Sequence, residues 1–266
     1  MGHANRICRL GLLALGLGLG AAAAATPGIA AADTPDLNDL AISFDGYSLF
    51  QEGTATAYST AGGYGLAIAD GAGSYAYSGT ADNAIAIGAN STATALFGDF
   101  DTSIADGTGS YTYADGNFDT GIASGTDSAA GAIYGNDDTA IASGTNSWVE
   151  TCGLSNSDLS NGDFGAAIGV NASAEAGSFT SGVTSDNDVA IVVDPDPNGA
   201  PYTNADAGNG DFDFASVFGN SSWASAGVSL PALDSAGSYD FASVFGDLLG
   251  VNASGGDFLF DILPSL

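Results

Sequence analysis

The amino-acid sequence predicts an all-β fold, a parallel β-solenoid or flattened β-roll whose coils repeat about every 18–19 positions, with atypical end caps. Three observations predict it: a short apolar pattern closed by a glycine recurs, a second glycine stands nine positions before most of these anchor glycines, and apolar residues alternate with a period of two. The clearest anchor glycines follow one another at intervals of 17, 19, 18 and 19 and are Gly71, Gly88, Gly107, Gly125 and Gly144, and looser copies end at Gly169, Gly219 and Gly246. A fixed repeat of this kind is typical of solenoids, and such frequent glycine disfavours a helix.

The strand before each anchor glycine carries small residues on one face and isoleucine on the other. The isoleucine column comprises Ile68, Ile85, Ile104, Ile122 and Ile141. Because coils stack at ~4.8 Å, the small face lets two sheets approach closely, and the isoleucines lie either in the interior or on a second buried surface. Strands that are apolar on both faces are usually covered on both. We therefore expect copies of the chain to associate side by side as a homo-oligomer, with a trimer as one candidate.

Serine and aromatic residues follow the anchor glycines at fixed positions. Serine stands three positions after the anchor, where it should hydrogen-bond the turn backbone, at Ser74, Ser91, Ser110, Ser128 and Ser147. An aromatic column four positions after the anchor comprises Tyr75, Tyr111, Trp148 and Trp223. This column either is exposed and stacks on sugar rings or a partner protein, or packs between coils. Two later copies, 213–219 and 240–246, contain phenylalanines that predict a thicker core near the C-terminal end.

The chain divides into four parts. Residues 1–32 have the basic start, the apolar run and the small residues before Asp33 that are typical of an export signal peptide. We expect 33–60 to form an N-terminal cap, 61–256 to form the solenoid domain with an irregular insertion at 194–209, and 257–266 to form a C-terminal apolar tail. Atypical ends are expected because a solenoid must cover its open sheet edges. We expect no transmembrane segment after the signal peptide.

Charge excludes several classes of function. The chain has 31 Asp and Glu residues against 2 Lys and Arg residues, a formal net charge of −29. Both basic residues, Arg6 and Arg9, and the single histidine, His3, lie within the predicted signal peptide. Nucleic-acid binding requires cations against phosphate, and a catalytic triad requires a histidine or lysine base. No pair of carboxylates stands apart from the others, so the sequence predicts a protein that is not an enzyme.

An aspartate column precedes the anchor glycines by six positions, at Asp82, Asp101, Asp119, Asp138, Asp163, Asp213 and Asp240. Two interpretations remain open: each aspartate forms a hydrogen-bonded turn, or the column binds Ca²⁺ through carboxylate oxygens. Asp194, Asp196 and Asn198 match the first half of a D-x-D-x-N-G calcium loop, although Ala205 occupies the twelfth position, where a glutamate is needed. An ordinary proline-rich loop is the alternative there. The candidate metal ligands are thus Asp82, Asp101, Asp119, Asp138, Asp194, Asp196 and Asn198, and no other cofactor is expected.

Two resemblances follow from these repeats. The segment 83–93, Asn-Ala-Ile-Ala-Ile-Gly-Ala-Asn-Ser-Thr-Ala, resembles the head repeat of trimeric autotransporter adhesins, which implies a left-handed parallel β-roll that packs as a trimer. The signal peptide and the opening at 40–47, Leu-Ala-Ile-Ser-Phe-Asp-Gly-Tyr, resemble uncharacterised secreted Gly/Ala/Asp-rich repeat proteins of the mycobacterial type. This second resemblance implies an extracellular or cell-envelope location.

The sequence accordingly predicts a secreted or cell-envelope repeat protein with a structural or adhesive role. Its expected partners are copies of itself and a surface glycan or a host or envelope protein. A Ca²⁺-binding extracellular β-roll is the first alternative. Binding to ice or to a crystal surface is the second, because Thr102, Thr120 and Thr139 align on the isoleucine face.

Overall fold

Two layers of β-sheet wind along one axis to form a parallel β-solenoid, as the repeats predict. The computed structural model describes residues 39–152, 160–177, 186–194, 203–208, 210–227, 239–246, 250–252 and 258–262. The predicted signal peptide and residues 195–202 of the predicted insertion lie outside the described residues. Among the described residues, none belongs to a helix long and apolar enough to cross a membrane.

The described part of the chain contains short strands joined by tight turns. These strands are β1 (Leu40–Phe44), β2 (Tyr47–Glu52), β3 (Thr56–Ser59), β4 (Leu66–Asp70), β5 (Tyr75–Thr80), β6 (Asn83–Ile87), β7 (Thr92–Asp99), β8 (Thr102–Asp106), β9 (Tyr111–Asn117), β10 (Thr120–Thr126), β11 (Ala129–Asn136), β12 (Thr139–Thr145), β13 (Thr151–Cys152), β14 (Ser160–Asn161), β15 (Phe164–Val170), β16 (Ala172–Ser173), β17 (Ala176–Gly177), β18 (Val189–Val193), β19 (Thr203–Asn204), β20 (Phe214–Phe218), β21 (Trp223–Ser225), β22 (Phe241–Phe245), β23 (Gly250–Asn252) and β24 (Phe258–Ile262).

The strands alternate between two layers. The front sheet has the order β2-β1-β4-β6-β8-β10-β12-β15-β18-β20-β22-β24. The back sheet has the order β17-β13-β11-β9-β7-β5-β3, with β14 beside β11, and it continues as the four strands β16-β19-β21-β23. Each coil therefore supplies one strand to the front and one or two short strands to the back.

Parallel pairing in the front sheet stacks each repeat directly on the next. Ile68 pairs with Ile85, which pairs with Ile104, and the column continues through Ile122 and Ile141. The coils lengthen after β12: Thr120 pairs with Thr139, but Thr139 pairs with Phe164, and Phe214 pairs with Phe241. Front-sheet register is nevertheless continuous, so the additional residues lie outside the front strands.

Alanine fills the space between the layers. The front sheet contributes pairs such as Ala84 and Ala86, and the back sheet contributes residues such as Ala76, Ala93 and Ala95, all with no exposed surface. The predicted close approach of two small-residue faces is therefore confirmed. The isoleucine column points outward, and Ile85, Ile104, Ile122 and Ile141 are only half-buried in the single chain.

The expected phenylalanine-thickened core is wrong. Phe218 and Phe245 lie on the outer face of the front sheet, where their rings stack at 4.9 Å, and Phe214 stacks on Phe241 at 4.8 Å. The inward positions of these two strands hold Ala215, Val217, Ala242 and Val244, all buried. The core near this end is larger only by the difference between alanine and valine, because period-two alternation sends the phenylalanines to the opposite side.

The first strands close one edge of the front sheet. β1 pairs antiparallel with β4, and β2 folds back on β1 as an antiparallel hairpin. This reversal of direction is the atypical N-terminal end that the sequence predicts. At the other end β24 continues the parallel ladder beside β22, so the described part of the predicted apolar tail is a front strand.

Candidate functional site

The predicted aspartate column is a hydrogen-bonded ladder that runs along one corner of the solenoid. The Oδ1 atom of each aspartate but the last accepts a hydrogen bond from the backbone N–H of the aspartate one coil later, at 2.8–3.0 Å. The members, none of them more than 1 % exposed, are Asp82, Asp101, Asp119, Asp138, Asp163, Asp188, Asp213 and Asp240. The bonds join successive coils, and this differs from the expected turn within each coil.

Asp188 is the member that the sequence pattern missed. Its coil lacks an anchor glycine, because Asp194 stands where the other coils have one and donates its backbone N–H to the Ile168 carbonyl at 2.8 Å. The apolar run of β18 immediately before Asp194 was the available signal. β18 lies in register between β15 and β20, so the ladder continues without a gap.

A residue with left-handed backbone conformation precedes each aspartate of the column. The residue before each aspartate has positive φ, as in Phe100 (71°), Phe118 (62°) and Asp137 (62°). This turn directs the following aspartate inward at the start of its front strand. Glycine is required three positions before Asp119, since a Cβ on Gly116 would overlap both the Asp119 carboxylate and the Gly135 carbonyl of the next coil.

Burial raises the pKa of the column carboxyls. The pKa reaches about 6 at Asp82, about 7 at Asp101 and Asp119, about 9 at Asp138 and about 7 at Asp213. Desolvation is the main cause, and neighbouring aspartates add to it, while the amide hydrogen bonds act in the opposite direction. Since Oδ1 already accepts an amide hydrogen, the proton of a neutral carboxyl fits best on Oδ2.

The candidate metal ligands do not form one cluster. Asp82, Asp101, Asp119 and Asp138 share the column, one per coil, with Oδ1 atoms engaged by backbone amides. Asp194 follows β18, whereas the column residue Asp188 precedes it, so Asp194 lies about 20 Å from the column along the strand direction. Asp196 and Asn198 lie outside the described residues. Within the described ranges, no three His, Cys, Asp or Glu side chains are placed to hold one metal ion.

The outer face of the front sheet is mostly apolar and almost free of charge, and its uncharged polar residues are Asn83 and several threonines and serines. Among the residues described there between β4 and β22, only Asp70 and Asp106 carry a charge. The threonines Thr102, Thr120 and Thr139 pair directly in adjacent strands, as expected. The C-terminal part of this face consists mainly of Phe164, Ile168, Val189, Ile191, Val193, Phe214, Phe218, Phe241 and Phe245.

The outer face of the back sheet carries the aromatic column. Tyr111, Trp148 and Trp223 are 43 %, 42 % and 40 % exposed, so they lie on the exposed side and not between coils. The column is interrupted by Thr92 and Ala129. A second tyrosine column runs beside its N-terminal half, and together they form a tyrosine platform of Tyr58, Tyr75, Tyr77, Tyr111 and Tyr113.

The serines three positions after the anchor glycines donate hydrogen bonds to backbone carbonyls at the turns. Ser74 and Ser91 donate to the carbonyl of the anchor glycine three positions earlier, at 2.8 and 2.9 Å. From the third coil onward the hydroxyl reaches the anchor glycine of the next coil, as when Ser128 donates to Gly144 at 2.7 Å. The expected role of these serines is confirmed, and in most coils it also links neighbours.

Comparison with protein-family models, curated protein sequences and solved structures found no match. The class of protein is therefore defined by the fold itself, an acidic parallel β-solenoid with a carboxyl ladder at one corner and regular residue columns on both outer faces.

Proposed function

We propose that the chain is a secreted or cell-envelope protein with a structural or adhesive role, not an enzyme, and that it acts through its outer faces. The observation that carries this proposal is the outer face of the front sheet. Its isoleucine, valine and phenylalanine columns are half-exposed, and among the described residues only Asp70 and Asp106 interrupt them with charge between β4 and β22. A regular apolar face of this extent is typical of a surface that another molecule covers.

We expect a second copy of the chain to cover this face. The nine front strands from β4 to β22, at ~4.8 Å between strands and with about five residues each at ~3.3 Å, cover roughly 700 Å². Standard-size interfaces bury about 600–1,000 Å² per partner. The ladders repeat at the same spacing in each copy, so two faces can interdigitate, while the aspartates of the corners remain outside the contact.

The charge distribution supports a surface role over catalysis. The column carboxylates are buried and tied to backbone amides, so they are not presented to a substrate. Residues 10–266 contain no Lys, Arg or His. The export signal expected at 1–32 favours action outside the cytoplasm, with a surface glycan or an envelope or host protein as the outward partner.

Light scattering during gel filtration tests the association. The wild-type protein at micromolar concentration should elute with a mass above that of one chain, and Ile122→Glu in the centre of the front face should be monomeric. The matched control is Ala129→Glu on the outer face of the back sheet, which should keep the wild-type mass. A monomeric wild-type protein at about 100 μM would contradict the proposal, since interfaces of this size usually bind more tightly.

Binding to ice or to another crystalline surface is a second candidate function. The in-register threonines Thr102, Thr120 and Thr139 favour it, because they form a flat row of hydroxyls beside the isoleucine column. Thermal hysteresis tests it directly. Hysteresis that is present in the wild-type protein and lost in Thr120→Lys would support this function, and no hysteresis in the wild-type protein would reject it.

A further inference from the structure

A groove of about 330 Å³ opens on the outer side of the back sheet, where β5 and β7 run side by side. Its lining residues, none of them charged, are Thr60, Tyr77, Gly79, Thr80, Leu96, Phe97 and Gly98. Tyr77 belongs both to this groove and to the tyrosine platform, so the two features form one continuous surface.

A bulge in β7 creates the groove. Ser78 pairs with Ala95, and Thr80 pairs with Asp99, so β7 advances four positions while β5 advances two. The two additional residues are accommodated within 96–98, opposite Gly79. Bulges re-aim side chains and are over-represented next to binding and active sites.

Phe97 stands at the lip of this bulge in a left-handed backbone conformation, with its ring exposed. Its φ is 59°, in the left-handed region that is costly for a bulky residue, and 80 % of its surface is exposed. Exposure forfeits the stabilisation that burial of the ring would give. Phe100 and Phe118 also combine positive φ with exposure, so it is the position of Phe97 at the groove that points to a ligand contact.

The platform extends the groove across several coils. The Tyr58 ring lies 6.1 Å from the Tyr75 ring and 6.4 Å from the Tyr77 ring. Two coils further on, Tyr111 and Tyr113 form a second contact at 5.4 Å. Thr92 and Thr94 stand between the two tyrosine groups, so aromatic faces and hydroxyls alternate along the solenoid axis.

We propose that the groove and the tyrosine platform bind a neutral polysaccharide, with Tyr77 and Phe97 as the main stacking residues. Aromatic rings stack on the apolar faces of sugar rings, and the hydroxyls of Thr60 and Thr80 can hydrogen-bond sugar hydroxyls. The groove volume lies at the lower end of the range for ligand sites, which suits one unit of a longer chain. The net charge of −29 and the uncharged lining disfavour an anionic polymer.

This inference rests on the proposed adhesive function and identifies the chemistry of its outward partner. The site lies on the back sheet, and the apolar association face lies on the front sheet, so a self-associated protein would leave the site open. The repetition of tyrosine groups along the axis favours a repeating polymer over a single folded protein as the occupant.

Affinity electrophoresis in native gels tests the proposal. Gels containing laminarin, dextran or galactomannan supply neutral probes, and gels containing alginate supply an anionic one. We expect at least one neutral polysaccharide, and not alginate, to retard the wild-type protein. Tyr77→Ala and Phe97→Gly should each weaken that binding about fivefold, as expected for one lost aromatic contact. Tyr47→Ala is the matched control, because it removes a 71 % exposed tyrosine outside the site.

Phe97→Gly separates binding from folding. Glycine adopts positive φ without strain, so this variant should melt at the wild-type temperature or higher while losing affinity. No retardation by any of the neutral polysaccharides, equal retardation by alginate, or unchanged binding in both groove variants would overturn the proposal. Light scattering on the same samples keeps the two proposals distinct, since association with no glycan binding rejects only the glycan site.

Discussion

The Oδ1 atom of Asp138 accepts a 2.9 Å hydrogen bond from the backbone N–H of Asp163 in the next coil, which is one of the lengthened coils. The same bond recurs in shorter coils, such as the 3.0 Å bond from Asp138 N–H to Asp119 Oδ1. The ladder therefore fixes the stacking of coils independently of their length. It does so with buried carboxyls in a chain whose residues 10–266 contain no basic side chain to pair with them.

Stability should fall as pH rises. The pKa is about 6 at Asp82, about 7 at Asp101 and about 9 at Asp138, against 3.8 when these carboxyls are solvated. The folded chain thus binds more protons than the unfolded chain, so this stabilisation is complete below about pH 4 and is lost as pH rises through 6 to 9. We expect the melting temperature to be lower by about 5 °C or more at pH 9 than at pH 5. Circular dichroism melts check this, and a melting temperature that rises over this interval would contradict it.

Asp138→Asn should reduce the pH dependence of the melting temperature. Asparagine retains an Oδ1 acceptor for the Asp163 amide and carries no charge, so the variant should melt above the wild-type protein at pH 9 and close to it at pH 5. Asp138→Ala leaves the buried Asp163 amide without this acceptor and should lower the free energy of unfolding by about 1–3 kcal/mol at both pH values. Urea unfolding at the two pH values measures both variants. Equal pH dependence in wild type and Asp138→Asn would exclude Asp138 as a contributor.

Gly98→Ala should disrupt the stacking of two coils. A Cβ at this position would overlap the carbonyl oxygen of Gly116 in the next coil, and backbone on both sides must shift. We expect a loss above about 3 kcal/mol, as for other overpacked backbone contacts. Gly62→Ala is the comparison, because its Cβ would meet nothing within 4 Å and only its positive φ of 76° opposes alanine, at about 1–2 kcal/mol. Similar losses in the two variants would show that close backbone approach is not the cause.

Calcium should leave the melting temperature within about 1 °C of its value in chelator, since a ligand that does not bind the folded state does not stabilise it. The reason is geometric: the column presents one carboxylate per coil, and Asp101 and Asp119 use Oδ1 for a backbone amide. Melts at about pH 7 with about 5 mM calcium, or with magnesium as the ionic-strength control, measure the shift at a concentration that would fill the sites of extracellular calcium modules. A rise of several degrees with calcium alone would instead support the Ca²⁺-binding alternative.

The repeats determined the fold class, the stacking of identical residues and the division of each front strand into a face of small residues and a face of larger apolar residues. These follow from the sequence because a fixed glycine period with period-two alternation leaves few arrangements other than stacked strands. Small residues at two alternate positions, as at Ala84 and Ala86, allow the two sheets to lie close together in these regular coils. In the regular coils whose anchor glycines run from Gly71 to Gly144, the pairing of each front-strand residue with its equivalent in the next coil was therefore predictable.

The tertiary structure alone decided which apolar face is exposed and what the aspartates bond to. Alternation assigns Ile122 and Phe218 to the face opposite the small residues, yet hydrophobicity alone would bury either face. Asp188 joined the ladder only because β18 pairs in register, which the lengthened coils conceal in the sequence. The groove at Phe97 depends on a two-residue register shift between β5 and β7, and such a shift is set by contacts between coils and not by the order of residues within one of them.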